Sequence, residues 1–163
     1  MAVVLDGKEV ARKIRQNLKE EVSKLKGEGI SPKLAVIMVG DDSASKIYVK
    51  NKSIACNEIG IEYEEYLLNE ETTMDELLNL IDKLNNDKTI NGILLQSPIP
   101  KNLDINEAFK AIDPIKDVDG FNPMNVGKLC LGQDAFISCT PYGVIKILED
   151  YNIETVSYTH LTL

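Results

Sequence analysis

Two side chains that could move protons lie four residues apart, at Tyr48 and Lys52. In a helix this spacing places both on one face, with Ser45 one turn earlier. A lysine removed from water in a cleft can act as a general acid or base, because burial disfavours its charged form. The alternative is an exposed lysine whose aliphatic stem packs along the tyrosine ring, which is the usual state of lysine.

Histidine chemistry contributes little here. His160 is the only histidine, and it lies close to the end of the 163-residue chain. We therefore expect neither a histidine-containing metal site nor a Ser-His-Asp triad upstream, and we expect no metal. Lysine, tyrosine, cysteine, serine and the carboxylates remain as candidates.

A polar side chain ends the third apolar run of the sequence. Gln96 follows Gly92 to Leu95 and precedes Ser97-Pro98-Ile99-Pro100. At the carboxyl end of a strand, Gln96 would face the crevice where α/β proteins bind ligands, and the prolines would stiffen its wall. Alternatively, the glutamine only closes the strand and bonds its turn.

The segment Lys116-Asp117-Val118-Asp119-Gly120-Phe121 places two carboxylates beside a glycine. A calcium loop is excluded, because Phe121 replaces an oxygen ligand and Lys128 stands where a bidentate glutamate belongs. An aspartyl-phosphate phosphatase centred on Asp117 and Asp119 is a weaker alternative, since no apolar strand precedes them. A turn with exposed acids would need no catalytic role at all.

Phosphate-binding signatures are missing from the sequence. The loop that begins at Gly40 lacks a second glycine, and Asp41 and Asp42 would repel phosphate. No G-x-G-x-x-G occurs, so the chain carries no dinucleotide fingerprint. Cys139 precedes Thr140 at a predicted helix start, where a thiol can be activated. Without a nearby base, a packed thiol is the favoured interpretation.

Composition excludes several classes of protein. Lys and Arg number 18 against 26 Asp and Glu, a net charge of −8, which argues against nucleic-acid binding. No apolar stretch is long enough to span a membrane, and no secretory leader is evident. Cys56, Cys130 and Cys139 are odd in number and far apart. We therefore predict a reduced, cytoplasmic protein that does not bind membranes.

Short apolar runs alternate with helical patterns along the chain. Strands are predicted at 34–39, 61–68 and 92–96. Capping signals predict helices after Asp6, Thr73, Asp104 and Thr140, and residues 43–60 are predicted to form a further helix. This alternation predicts an α/β protein, a three-layer α/β/α domain with a mainly parallel sheet. In the second helix we expect the apolar residues to face inward; these are Ile47, Ile54, Ala55 and Ile59.

Five segments of the sequence occur together in one order. They are Val4-Leu5-Asp6-Gly7-Lys8, residues 47–52, residues 92–100, residues 116–121 and Cys139-Thr140-Pro141. In this combination the chain resembles the N-terminal catalytic domain of the bifunctional methylenetetrahydrofolate dehydrogenase/cyclohydrolase family, over about residues 2–154. The Y-x-x-x-K, Q-x-P-x-P and K-D-V-D-G motifs are weak singly and specific together. Ser97 departs from the family, where many relatives carry a bulkier apolar residue.

The resemblance implies roles for the candidate residues. Lys52 would be the acid/base group, Gln96 would hydrogen-bond it, and Tyr48 would stack on the folate. Asp119 would accept hydrogen bonds from the amino-pyrimidine edge of the pterin. Ser45 and Pro98 would complete the substrate-binding residues.

The resemblance also implies a two-step reaction. A hydride leaves 5,10-methylenetetrahydrofolate for NADP, and the methenyl product is hydrolysed to 10-formyltetrahydrofolate, as in the folate branch that serves purine biosynthesis. Residues 1–154 would form the folate-binding catalytic domain, while the Rossmann domain for NADP would be absent from this chain. The full-length parent would be a homodimer.

The last residues differ in character from the rest. Residues 155–163 are rich in Ser and Thr and match nothing expected of the family, so we predict an atypical tail without a functional role. Truncation before the NADP-binding domain leaves an alternative to catalysis. The chain would then be an inactive fragment, or a non-catalytic domain that binds a ligand or assembles with itself.

Overall fold

The computed structural model describes residues 4–155, so His160 and most of the predicted tail lie outside the described residues. Six helices and three strands alternate along this part of the chain. In order they are α1 (Gly7–Gly27), β1 (Lys33–Val39), α2 (Ser43–Ile59), β2 (Glu62–Leu68), α3 (Met74–Asn86), β3 (Gly92–Leu95), α4 (Ile105–Ala111), α5 (Pro123–Cys130) and α6 (Cys139–Asp150).

The three strands form one parallel sheet in the order β2-β1-β3. Central strand β1 pairs with β2 on one side, beginning with Lys33 opposite Glu62. On its other side β1 pairs with β3, beginning with Leu34 opposite Gly92. Its last five residues are buried, as expected of a strand covered on both faces. The predicted parallel sheet is confirmed.

Helices cover both faces of the sheet. Ala35, Ile37 and Val39 point to one face, where they pack with buried residues of α3 and α4. The alternate residues Val36 and Met38 point to the other face, towards Val49 of α2. Helix α1 packs outside α2, and α6 packs against α1. The predicted three-layer α/β/α architecture is therefore confirmed.

Capping residues start the helices largely where the sequence predicts. The Asp6 carboxylate accepts the N–H groups of Lys8 and Glu9 at the start of α1. Thr73 and Glu76 form the reciprocal capping box of α3. These contacts satisfy helix N–H groups that have no partner within the helix.

The inward face predicted for α2 needs correction. Ile47 and Ile54 are exposed, because the buried face of this helix runs through Ser45, Val49, Cys56 and Ile59. The predicted inward position is confirmed for Ile59, and Ala55 is half-buried, but it is wrong for Ile47 and Ile54.

The start of α6 and the existence of α5 also differ from expectation. Helix α6 begins at Cys139 with Ser138 as N-cap, so Thr140 lies inside the first turn instead of capping it. Helix α5 was not predicted, although Asn122 caps it and Pro123 occupies its first position. Its short length hid the apolar periodicity that marks longer helices.

None of the helices within residues 4–155 is both long enough and apolar enough to cross a bilayer.

Candidate active site

The topology of the sheet defines one crevice. From β1 the chain passes through α2 to β2 on one side, and then through α3 to β3 on the other side of β1. The order of strands reverses between β1 and β3, and such switch points at carboxyl ends are where α/β sheets bind ligands. Helix α2 leaves β1 at this edge, and Gln96 ends β3 there.

Lys52 and Gln96 meet in this crevice. The Lys52 Nζ donates to Gln96 Oε1 at 2.8 Å. Gln96 is buried, and its Nε2 donates to the backbone oxygen of Ser97 at 2.7 Å. Because the amide nitrogen is engaged by Ser97, the amide oxygen is fixed towards the lysine. A cis peptide bond joins Ser97 to Pro98.

Helix α2 holds Lys52 at the margin of its buried face. Ser45, Val49 and Cys56 anchor this face, and Lys52 is half-buried between the last two. Among residues 4–155, no carboxylate forms a salt bridge with Lys52. Its ammonium or amine group therefore stays available to a substrate, held by a neutral amide.

Asp119 enters the same cleft from a tight loop. The next residue, Gly120, has φ +69°, in the left-handed region that favours glycine. A Cβ at Gly120 would lie 2.7 Å from the backbone oxygen of Phe136. Glycine therefore lets the Asp119 loop lie directly against the segment that leads into α6.

The other two charged residues of the K-D-V-D-G segment have structural contacts. The Lys116 Nζ donates to the carbonyls of Leu84, Asn85 and Asp87 at 2.7–3.0 Å, where the C-terminus of α3 carries negative partial charge. The Asp117 carboxylate is buried and accepts hydrogen bonds from the loop and from α5. Neither side chain lines the cleft, so the structure gives no support to a phosphatase that uses Asp117 as nucleophile.

Cys139 adjoins Asp119 at the start of α6. Its Sγ lies 3.4 Å from Asp119 Oδ1. Although the residue is exposed overall, desolvation of its thiol raises the pKa of Cys139, and the Asp119 carboxylate raises it further. Both effects favour the neutral thiol, in agreement with the interpretation that Cys139 is not an activated nucleophile.

The cleft that these groups share has a volume of about 340 Å³. It includes three of the predicted site residues, and it also includes side chains that the sequence analysis did not select. Phe121, Ser138 and Thr140 are of this kind. Phe121 and Thr140 belong to the quoted segments without being chosen as site residues, and Ser138 immediately precedes one of these segments. The lining residues are Lys52, Leu94, Leu95, Gln96, Ser97, Asp119, Phe121, Ser138, Cys139 and Thr140.

The remaining predicted residues lie around this cleft instead of lining it. Tyr48 is 62% exposed on α2, one turn before Lys52. Ser45 is buried, and its Oγ has no hydrogen-bond partner among the described residues. Pro98 lines an adjacent depression together with Asp41 and Asp42. Their roles towards a substrate stay predictions.

Two depressions of the surface are larger than the cleft that holds Lys52, Gln96 and Asp119. One of about 860 Å³ lies between α2 and β2, and one of about 830 Å³ lies between α1 and α6. Lys52, Gln96 and Asp119 line neither, so chemistry and topology locate the candidate site where size alone would not. Within residues 4–155, no cluster of His, Cys, Asp or Glu could hold a metal ion.

Comparison with known proteins gives consistent matches. The family described as tetrahydrofolate dehydrogenase/cyclohydrolase, catalytic domain, matches residues 5–119. The bifunctional protein FolD of Geotalea daltonii is 51% identical over 154 residues, and that of Ruminiclostridium cellulolyticum is 52% identical over 153 residues. These matches cover 94% of this chain and 55% and 54% of the relatives. The chain thus spans about half the length of the curated relatives it matches.

Solved structures agree with the sequence matches. The bifunctional FolD enzyme of Campylobacter jejuni superposes with a TM-score of 0.91 at 49% identity, covering 93% of this chain and 54% of that one. The Trypanosoma brucei FolD enzyme, complexed with NADP and an inhibitor, gives a TM-score of 0.88 at 32% identity. That match covers 94% of this chain and 53% of the trypanosomal chain.

Proposed function

Since the chain belongs to the tetrahydrofolate dehydrogenase/cyclohydrolase family, we propose that it acts on the one-carbon unit of tetrahydrofolate. The proposed reactions are the NADP-dependent oxidation of 5,10-methylenetetrahydrofolate and the hydrolysis of the methenyl product to 10-formyltetrahydrofolate. The observation that carries this proposal is the contact of 2.8 Å between Lys52 Nζ and Gln96 Oε1, in a cleft that also holds Asp119.

Lys52 is the proposed acid/base group of the hydrolysis. Water adds to the methenyl carbon and loses one proton, which leaves a hydroxyl on the carbon that bridges N5 and N10. The bond from this carbon to N5 then breaks as N5 gains a proton, and the hydroxyl releases its remaining proton to solvent as the formyl C=O forms. An amine that accepts the proton of the attacking water and donates a proton to N5 serves both steps. Gln96 holds the Lys52 Nζ in place, so the lysine side chain needs less reorientation when the substrate binds.

Asp119 is the proposed recognition group for the pterin. Its carboxylate has acceptor oxygens for the adjacent N–H donors of an amino-pyrimidine edge, which form charge-assisted hydrogen bonds. Tyr48 is proposed to stack on the folate from the outer wall of the cleft, and its exposure leaves the ring accessible. Ser45 and Pro98 remain proposed substrate contacts.

The described residues do not fit NADP. Helix α2 begins after Gly40, where a pyrophosphate site would need free backbone N–H groups. Asp42 already accepts the Ser45 N–H at 2.7 Å, and Asp41 pairs with Lys46. These carboxylates would repel a phosphate, so we assign no step of the hydride transfer to this part of the chain.

Three further expectations from the family stand as proposals. We propose that NADP binds to a separate Rossmann domain, that the functional protein is a homodimer, and that it works in the cytoplasm. The relatives' greater length and the NADP-complexed trypanosomal structure support the first of these.

Hydrolysis of 5,10-methenyltetrahydrofolate tests the proposed function, because this step needs no NADP. The absorbance of the methenyl compound is followed with the wild-type chain, Lys52→Ala and Lys50→Ala. We expect hydrolysis above the spontaneous rate that falls at least about a hundredfold in Lys52→Ala. Lys50 is exposed on the opposite flank of the same helix, so Lys50→Ala should behave as wild type.

Other outcomes of this assay point elsewhere. An equal loss of hydrolysis rate in Lys52→Ala and Lys50→Ala would show that turnover depends on the positive charge of the helix and not on an acid/base group. Turnover no faster than the spontaneous reaction, with folate binding retained, would favour a non-catalytic ligand-binding domain. Absence of both turnover and binding would identify an inactive fragment.

A further inference from the structure

The loop that carries Asp119 is built around one buried carboxylate. Asp117 is 2% exposed. Its Oδ1 accepts the Phe121 N–H at 3.3 Å, and its Oδ2 accepts the Asn122 N–H at 2.8 Å. The Gly120 N–H donates to the Asp117 carbonyl at 3.2 Å. Residues 117–122 therefore wrap around the Asp117 side chain, while Asp119 lines the cleft.

Asn125 of α5 completes this arrangement. Its Nδ2 donates to Asp117 Oδ2 and to the Pro114 carbonyl, both at 2.9 Å. Asn125 is itself 2% exposed, and among the described residues it is the only side chain that donates to Asp117. Removing a donor from a buried carboxylate leaves part of its desolvation uncompensated. The loop would then reorganise to bring the carboxylate another donor or water.

We propose that Asn125 is a positioning residue for Asp119. Asn125 holds the Asp117 carboxylate, this carboxylate holds the loop, and the loop directs Asp119 into the cleft. The placement of Asp119 stands on the contacts of the described residues alone. Its consequence, a site that recognises the pterin edge, rests on the proposed function.

Cys139 is an internal reporter of where Asp119 lies. The Cys139 Sγ is 3.4 Å from Asp119 Oδ1, and this carboxylate helps to raise the pKa of Cys139. The other charges that act on the thiol are Lys52, which lowers its pKa, and Asp117, which raises it. If Asp119 moves away, the thiol ionises more readily and is alkylated faster.

The experiment measures the alkylation of Cys139 by iodoacetamide between pH 6 and 10, resolved by peptide mass spectrometry. Asp119→Asn is the positive control, because it removes the charge directly. We expect Asn125→Ala to accelerate alkylation at neutral pH by about threefold or more, in the same direction as Asp119→Asn. Thr73→Ala removes a capping contact of α3 and should leave the Cys139 profile unchanged.

Folding is monitored in the same samples. Cys56 is buried in α2, so its alkylation reports unfolding. If Asn125→Ala exposes Cys56, Asn125→Ser supplies a milder variant for the same comparison. A wild-type profile in a folded Asn125 variant, beside a shifted Asp119→Asn profile, would overturn the proposal. An unshifted Asp119→Asn profile would overturn it as well, because the reporter contact would not exist.

Folate kinetics then give a separate readout. If the chain hydrolyses methenyltetrahydrofolate, we expect Asn125→Ala to raise KM about tenfold while kcat stays within about twofold of wild type, because the acid/base pair is untouched. Thr73→Ala should change neither constant. A fall of kcat by about tenfold with an unchanged KM would contradict the positioning role. A wild-type chain without turnover would refute the proposed function and leave the thiol result intact.

Discussion

At the scale of single residues, Gln96 links the end of a strand to the proposed acid/base group. Its two amide atoms have different partners, the Ser97 carbonyl and the Lys52 Nζ, at 2.7 and 2.8 Å. The strand thus fixes the amide, and the amide fixes the lysine. A neutral acceptor can hold either protonation state of the lysine, since both carry N–H donors.

Replacing Gln96 with methionine tests this link at nearly constant size. We expect kcat for methenyltetrahydrofolate hydrolysis to fall about tenfold to a hundredfold, because Lys52 loses its fixed position. Thr73→Ala is the control, since Thr73 caps α3 and does not line the cleft. A Gln96→Met enzyme with wild-type kcat would show that the amide does not orient the lysine.

Tyr63 gives the described fold a dependence on alkaline pH. Burial raises the pKa of Tyr63 from 10.0 to about 12, with a smaller contribution from Glu65. The folded state therefore holds the phenol proton more tightly than the unfolded state. This contribution to stability is fully present below pH 10 and is lost as the pH rises towards 12.

Urea unfolding between pH 9 and 12 measures this effect. We expect the free energy of unfolding to fall across this range, and to fall less steeply in Tyr63→Phe. Tyr48→Phe, at an exposed position of α2, should keep the wild-type slope. An unchanged slope in Tyr63→Phe would assign the alkaline loss to other groups.

At the scale of elements, the loop between α4 and α5 decides where Asp119 lies. At Gly120 the backbone of this loop lies so close to the segment before α6 that a Cβ would force one of them to shift. A short helix, α5, then closes the loop through Asn125. The cleft is thus assembled from loops and helix starts held on a rigid sheet, as is usual for α/β proteins.

Gly120→Ala should destabilise the fold more than an alanine at another left-handed glycine. The positive φ costs about 1–2 kcal/mol, and contact of the new Cβ with the Phe136 carbonyl adds about 1–3 kcal/mol. Gly132 has φ +67°, and within residues 4–155 a Cβ there would meet nothing within 4 Å apart from its chain neighbours. Gly132→Ala should therefore lose only the free energy that the positive φ costs. Denaturant unfolding measures both. Equal losses would show that the Phe136 contact relaxes freely.

At the scale of the whole molecule, the described fold rests on the core between the sheet and helices α3 and α4. Leu77, Ile81 and Leu84 of α3 fill this core beside Ile37 and Ile93. The second face, towards α2, is smaller and leaves part of that helix exposed. Stability should therefore depend much more on α3 than on the apolar residues of α2.

Two isoleucine-to-alanine substitutions compare these helices. Ile81 is fully buried, so Ile81→Ala should lower the free energy of unfolding by about 2–5 kcal/mol. Ile47 is 62% exposed, and Ile47→Ala should change it by less than about 0.5 kcal/mol. Thermal or denaturant unfolding checks both values. A large loss in Ile47→Ala would restore the inward orientation that the sequence predicts.

The sequence by itself determined the candidate groups and every described element except α5. Apolar runs and caps such as Asp6 and Thr73 act over a few residues, so they can be read without tertiary information. The motifs around Lys52 and Gln96 were specific enough in combination to indicate the family. Through the family resemblance they also predicted the hydrogen bond between these two side chains, 44 positions apart, and the structure supplies its geometry.

Tertiary structure decided what depends on packing between distant segments. Ile47 and Ile54 match a helical repeat, but which face of α2 is buried depends on where the sheet lies. Asp117 and Asp119 are chemically alike, but loop N–H groups and Asn125 of α5 make the first a buried anchor, while the second lines the cleft. Local sequence sets the propensity of a segment to form a helix or strand. The burial of a carboxylate and its hydrogen-bond partners depend on how distant segments pack, and they decide its role.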